Sequence, residues 1–332
     1  MVFLGVRLGN ESQLNPAEIQ ELAVTAENLG YQEIWMTEGS GRDSLTQLTA
    51  IATATNRIVA GTGILPIFSR TPLITAMSAA GIAAVSSGRF ILGLGVGNGP
   101  ATRDGHGVPF AKPMDRLRDT ITIVRQLLEG EKVTHRGAAF QVFDASLGDA
   151  VPKEKVPIYI AALGPGMLRL AGEMADGVLL SWTPSSYLKH AIQLVRDGAE
   201  RVGRDPDEVE ISGYVRVSVT ADMEAGLAAL QSEVARYSGS SHYRNFFRFT
   251  GFFLEMEAAE SARRRGDDAA RVGAISEDMR DELGLVGSAQ ECRTKLEELR
   301  SLGLAKPIIA PLPVGDLKTA YETTIQGMAP NA

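Results

Sequence analysis

Cysteine occurs once in the 332 residues, at Cys292, so no internal disulfide can form and no cluster of cysteines can hold zinc. Histidine is nearly as scarce. His106, His135, His190 and His242 are scattered, which argues against a metal site. Positive charge is in deficit: the net charge is −7, whereas nucleic-acid binding needs a concentrated basic face. The opening Val2-Phe3-Leu4-Gly5-Val6 reads as a strand, too short for a signal h-region or a membrane span, and no charged n-region precedes it. The expectation is a cytoplasmic protein with no membrane partner. What the chain does have is apolar residues, 44% of the total, enough for a substantial core. Its length suits two average domains or one large α/β barrel with insertions.

Strand and helix patterns alternate along the chain. Strands are expected at 2–8, 33–38, 58–65, 89–97, 158–163, 177–182, 210–220 and 307–312. Helices are expected between them and after the last strand. The first opens with Asn15 as N-cap and Pro16 in its first turn, and ends before Gly30. Strict alternation argues for parallel strands with helical crossovers, and eight such units are the count of a (β/α)8 TIM barrel. The rival architecture is an open doubly wound sheet.

Two stretches interrupt the repeat. Residues 132–157 read as a β-excursion, and residues from about 237 to 300 as a mostly helical insertion within a single domain spanning 1–332. The aromatic run Tyr243 to Phe253 in that insertion serves either as core under its helices or as a cap on the barrel mouth. Ser288 and Glu291 form a capping box, which places Cys292 in the first turn of a helix. With no histidine near it in sequence, Cys292 reads as a structural thiol.

No Ser-His-Asp set, Walker loop or metal-ligand spacing occurs. The glycines of "GLGVGNGP" (93–100) miss the G-x-G-x-x-G dinucleotide pattern, and no helix is expected directly after them. A barrel places them at the C-terminal end of the fourth strand, the functional face, where a flat ring can approach the backbone. Thr62-Gly63-Ile64-Leu65-Pro66 ends the third strand, and Glu38, heading Gly39-Ser40-Gly41, ends the second. A face this poor in protein catalysts points to a cofactor carrying the chemistry. Gly164-Pro165-Gly166 opens a helix with bare backbone N–H groups, a natural anion site.

The segments "GRFILGLGVGNGP" (88–100), "RLRDTITIVRQLLEGEKVTHRGAAFQV" (116–142), "AALGPGMLRLAGEMADGVLLSW" (161–182) and "LVGSAQECRTKLEELRSLGL" (285–304) resemble the bacterial luciferase-like flavin family. Within it they look like the F420-dependent oxidoreductases related to methylenetetrahydromethanopterin reductase. The resemblance implies a TIM barrel with insertions, a homodimer, and hydride transfer between F420 and a small-molecule substrate. It implies a cofactor phosphate on Ala162, Leu163, Gly164, Pro165, Gly166 and Met167. It further implies a cis Gly63–Ile64 bond behind the deazaflavin ring, with Thr37, Glu38, Thr62, Val96, Gly97 and Asn98 bordering it. Glu38 and Asn98 become the candidate catalytic residues.

The sugar-phosphate dehydrogenases of that branch carry an acid–histidine pair after the second strand and a glutamate after the fourth. Here those positions read Glu38-Gly39 and Asn98, so glucose 6-phosphate is not the expected substrate. Proton transfer then falls to water or Glu38, or is not required. The alternatives are an FMN-dependent monooxygenase, a non-redox phosphate-binding barrel, and a non-catalytic flavin-binding relative.

Overall fold

The computed structural model describes residues 3–9, 13–39 and 41–330. Val2 of the first expected strand and Ser40 of the turn after Glu38 lie outside them. In chain order the first half runs β1 (Gly5–Leu8), α1 (Pro16–Asn28), β2 (Glu33–Met36), α2 (Ser44–Ala54), β3 (Val59–Thr62), β4 (Leu65–Pro66), α3 (Pro72–Val85), β5 (Phe90–Gly95) and α4 (Pro113–Leu128). A hairpin follows, β6 (Val133–Arg136) with β7 (Gln141–Ala145), and then β8 (Ile158–Ala162), α5 (Pro165–Met174), β9 (Gly177–Ser181), α6 (Ser185–Arg201) and β10 (Glu210–Val219). The chain continues through α7 (Met223–Ser238), α8 (Ser241–Phe249), α9 (Phe253–Arg264), α10 (Asp268–Gly273) and α11 (Glu277–Leu283). It ends with β11 (Gly284–Gly287), α12 (Ala289–Ser301), β12 (Lys306–Pro311) and α13 (Leu317–Gly327).

β1, β2, β3, β5, β8, β9, β10 and β12 pair in parallel and close on themselves, with Gly5 beside Ile308 and Tyr214 beside Ser181 at two of the seams. This is the (β/α)8 barrel, and the doubly wound alternative is excluded by the closure. The strands are buried on both faces, as helical crossovers require. The local signals hold where they were read: Asn15 and Glu18 form a reciprocal capping box on α1, and Ser288 and Glu291 do the same on α12.

The structure departs from the expected elements at three places. The third strand is broken, because the backbone bulges at Gly63–Ile64 between β3 and β4. A π-helical turn, Ala101–Gly105, opens directly after the glycine cluster, capped by Asn98 rather than by the glycines. The insertion also carries a strand, β11, all four residues of which are buried and which lies parallel to the end of β10. So short an apolar run between two helices has no periodicity of its own to announce it.

The aromatics of the insertion divide. Phe246, Phe247 and Phe252 are buried with Trp182, Met256 and Met279 in a second core, while Phe249 and Phe253 are exposed. Cys292 is buried, and burial pushes its thiol up to about 11, in keeping with a structural role. Among the described residues, no helix is long and apolar enough to cross a membrane.

Candidate active site

The lower half of the barrel interior is filled. Trp35, Ile91, Tyr159, Leu179 and Ile308 pack there, nearly all fully buried. Space for the Trp35 ring comes from Gly61, where an added Cβ would lie 2.6 Å from it. Below the rings, the Trp35 indole N–H donates to Glu33 at 2.9 Å, and Lys306 lies 3.5 Å from the same carboxylate. Burial raises the Glu33 pKa, with Lys306 opposing it. Above this plug, Ile64, Val96, Ala161, Ser181 and Tyr214 are half-buried. The barrel is therefore open at the C-terminal ends of its strands, the end that carries chemistry in this architecture.

The bulge after β3 builds one wall of the mouth. The Gly63–Ile64 peptide is cis, as the resemblance implied. The Gly63 N–H donates to the Met36 carbonyl at 2.7 Å and the Glu38 N–H to the Ile64 carbonyl at 3.4 Å, so the ends of β2 and β3 are held as a unit. From the opposite side of the barrel, the Tyr214 hydroxyl donates to the Gly63 carbonyl at 3.1 Å. The Ile64 side chain lies over Gly95, whose Cβ position is 2.9 Å from Ile64 and 3.3 Å from the Ala161 methyl. Ile64, Gly95 and Ala161 together form a small apolar shelf of the kind that accepts a flat ring.

The other expected ring neighbours fall into place unevenly. Thr37, Val96 and Gly97 lie half-buried at the rim, and Gly97 has φ +69° beside Pro66. Thr62 is fully buried. Its hydroxyl donates to the Gly93 carbonyl and accepts from the Gly93 N–H, both at 2.8 Å, which makes it a strut between β3 and β5. The Glu38 carboxylate is engaged by Arg70 on one oxygen; the other accepts from the Ser44 N–H at 2.9 Å and hydroxyl at 2.5 Å. Asn98 is exposed. Its side-chain oxygen accepts from the Ala101 N–H at 3.2 Å, and its amide reaches Ser240 of the insertion at 3.5 Å.

From Ala161 on the shelf, β8 ends at Ala162, and Leu163 leads on to the start of α5. Ala162 is buried, and Leu163 packs toward the insertion core. Gly164 is the N-cap of α5, with φ −86° and no side-chain cap; Pro165 and Gly166 begin the helix, and Met167 packs on the main core. No heavy atom lies within 4 Å of a Cβ built on Gly164. The helix start thus has no side-chain cap and is open; the Met167 N–H donates to the Gly164 carbonyl at 3.1 Å, which leaves the Gly164 and Gly166 N–H groups for an anion. Three residues separate it from Ala161, about 10 Å of extended chain, so a ring on the shelf and a phosphate at α5 lie within one cofactor's reach.

A further group was not anticipated from sequence. Arg216 of β10 faces the mouth, its guanidinium 4.0 Å above the Trp182 ring and 5.8 Å from the Tyr237 ring. Tyr237 and Tyr243, from α7 and α8, pack edge to face at 4.8 Å, so part of the insertion does cap the mouth. Arg7 of β1 is half-buried and donates to the Tyr321 hydroxyl at 3.4 Å. Burial alone would raise the Tyr237 pKa, but the charges of Arg216 and Arg7 bring it below the ordinary phenol value. The available signal was a lone arginine set between apolar neighbours in each of two strands, "GVRLG" and "YVRVSV".

A profile of the luciferase-like monooxygenase family matches residues 1–306. The chain is 32% identical over 311 residues to the 5,10-methylenetetrahydromethanopterin reductase of Methanolobus tindarius, covering 91% of this chain and 92% of that protein. It is also 32% identical over 232 residues to an F420-dependent glucose-6-phosphate dehydrogenase of Microbacterium testaceum, covering 66% and 69%. Among solved structures, the coenzyme F420-dependent tetrahydromethanopterin reductase of Methanopyrus kandleri matches with a TM-score of 0.84 at 27% identity, over 99% of this chain and 98% of that one.

Proposed function

The chain belongs to the luciferase-like monooxygenase family, and from that premise we propose that it is an F420-dependent oxidoreductase acting on a small organic substrate. The observation that carries this reading is the shelf of Ile64, Gly95 and Ala161 joined by one strand end to the uncapped start of α5. When bound, the deazaflavin supplies a two-electron hydride centre at its C5 that does not activate dioxygen. The residues present fit it. Gly164 and Gly166 offer backbone N–H groups, and α5 its helix dipole, to a phosphate, with Met167 in the same first turn. Ile64 and Ala161 give the ring an apolar support, and Thr37, Val96 and Gly97 edge it.

Glu38 acts as a tie rather than as a proton donor. Its carboxylate is taken up by Arg70 and Ser44, which holds the β2 loop against the bulge. Asn98 keeps the loop after β5 closed on the insertion through Ser240. The protein works as a homodimer. In support, Ile74, Met77 and Val85 stand exposed on α3 at helical spacing, an apolar stripe for a second copy to cover.

Fluorescence titration tests the reading. F420 should bind in or below the micromolar range and FMN far more weakly. Tight FMN binding without F420 binding would instead favour the monooxygenase alternative.

A further inference from the structure

Arg216 is anomalous among the residues that line the barrel. It is 6% exposed, yet its guanidinium makes a single hydrogen bond among the described residues, to the Ser181 hydroxyl at 3.2 Å. A guanidinium carries five N–H donors. Among the described residues, no carboxylate pairs with it; the nearest charge influence on it from an acid is that of Glu233. Glu233 is engaged by Arg236 through both oxygens, at 2.6 and 2.8 Å. A buried cation without a counter-charge is costly, and such groups persist where a ligand completes them.

Its direction follows from strand alternation. Tyr214 points inward, since its hydroxyl reaches Gly63 across the barrel. Arg216, two residues on, shares that face one layer nearer the mouth. Trp182 covers one face of the guanidinium at 4.0 Å, leaving its edge for hydrogen bonding. Arg7 adds a second positive charge from β1. Tyr243, whose hydroxyl burial and Tyr237 push up to about 12, remains a neutral donor.

We propose that this corner of the mouth, between β1, β9 and β10, binds an oxyanion carried by the substrate, a carboxylate or phosphate, with Arg216 as the recognition residue and Arg7 beside it. The assignment of that oxyanion to the substrate rests on the oxidoreductase reading above; the oxyanion site itself does not.

The test titrates the protein with sodium benzoate and with inorganic phosphate at constant ionic strength, chloride serving as control. Melting temperature and tryptophan fluorescence are the readouts, the latter because Trp182 carries the guanidinium. Wild type is compared with Arg216→Met, Arg216→Lys and Gly164→Asp, without F420 and saturated with it. Arg216→Met keeps the side-chain stem and removes the charge; if it fails to fold, Arg216→Gln carries the same comparison.

The expected result is an anion response beyond chloride in wild type, weakened about 10- to 100-fold in Arg216→Met and partly kept in Arg216→Lys. Gly164→Asp should keep the benzoate response, and Arg216→Met should keep wild-type F420 affinity. The proposal is overturned if Arg216→Met responds like wild type, or if wild type responds only as it does to chloride. It is also overturned if Arg216→Met loses F420 affinity together with the anion response, for the arginine then serves the cofactor. Loss of the oxidoreductase reading is read separately, as wild type that answers the anions but does not bind F420.

Discussion

The Tyr214 hydroxyl donates to the Gly63 carbonyl at 3.1 Å, joining the middle of β10 to the bulge after β3 across the width of the barrel. The approach is close enough that a Cβ on Gly63 would lie 1.6 Å from the hydroxyl and 2.9 Å from the ring carbon bearing it. Gly63→Ala must therefore displace Tyr214. It should lower stability by roughly 1–3 kcal/mol, as overpacking does, and weaken F420 binding. Tyr214→Phe removes only the hydrogen bond and should cost about 1 kcal/mol. Thermal melts and cofactor titrations of the two variants check the order; equal losses would mean that the hydrogen bond, not the space, matters.

Gly164→Asp should weaken F420 binding far more than it alters the melting temperature of the free protein. Gly164 has ordinary extended φ and open space around its Cβ position, so the new side chain brings no strain. An acid at an N-cap is favourable to the helix. Against a phosphate ~5 Å away, repulsion at an effective dielectric of about 20 is roughly 3 kcal/mol, or about two decades of affinity. Gly164→Asn separates charge from shape. Equal losses for Asp and Asn would place the phosphate elsewhere.

Glu38→Gln probes the tie between β2 and α2. The substitution keeps an acceptor for Ser44 but removes the charge facing Arg70. Stability should fall by roughly 1–2 kcal/mol, with kcat reduced less than ~10-fold and its pH profile unmoved. A fall of 100-fold or more with a lost pKa in the profile would instead identify a general acid.

Asp176 links stability to pH. Burial alone would raise its pKa, but the Ile158 N–H, Lys155 and Arg125 outweigh it and hold the carboxyl below its ordinary value. A carboxyl depressed in the folded state contributes stability above its unfolded pKa, near ~3.9, and loses it as pH falls through the folded value. Asp176→Asn should therefore be less stable than wild type at pH 7, by roughly 3 kcal/mol, and the gap should close in acid. Denaturant melts at pH 7 and near pH 3 measure it; a gap constant with pH would mean that the loss is one of packing.

Met77→Glu on α3 should turn a dimer into a monomer without unfolding the protomer, because Met77 is 52% exposed on the protomer. Light scattering together with a thermal melt checks this. A dimer that survives the substitution would remove α3 from the interface.

The eight barrel strands, the capping boxes at Asn15 and Ser288, and the bare turn at Gly164 were legible in the sequence, because each is written in a short, contiguous pattern. Side-chain alternation, helical spacing and cap chemistry act over a few residues, and the barrel follows from repeating them. The break at Gly63–Ile64 was legible through resemblance rather than through periodicity. β11 was not, since four apolar residues between helices carry no period. Nor was the fate of Glu38 and Asn98, which depends on Arg70, Ser44 and Ser240 arriving from other loops. The grouping of Arg7, Arg216, Tyr237 and Tyr243 was decided by barrel closure alone. Closure brings the first strand beside the last, and the insertion adds Tyr237 and Tyr243 beside Arg216. No local pattern records which residues distant in sequence will share one wall, and the electrostatics of that wall exist only once they do.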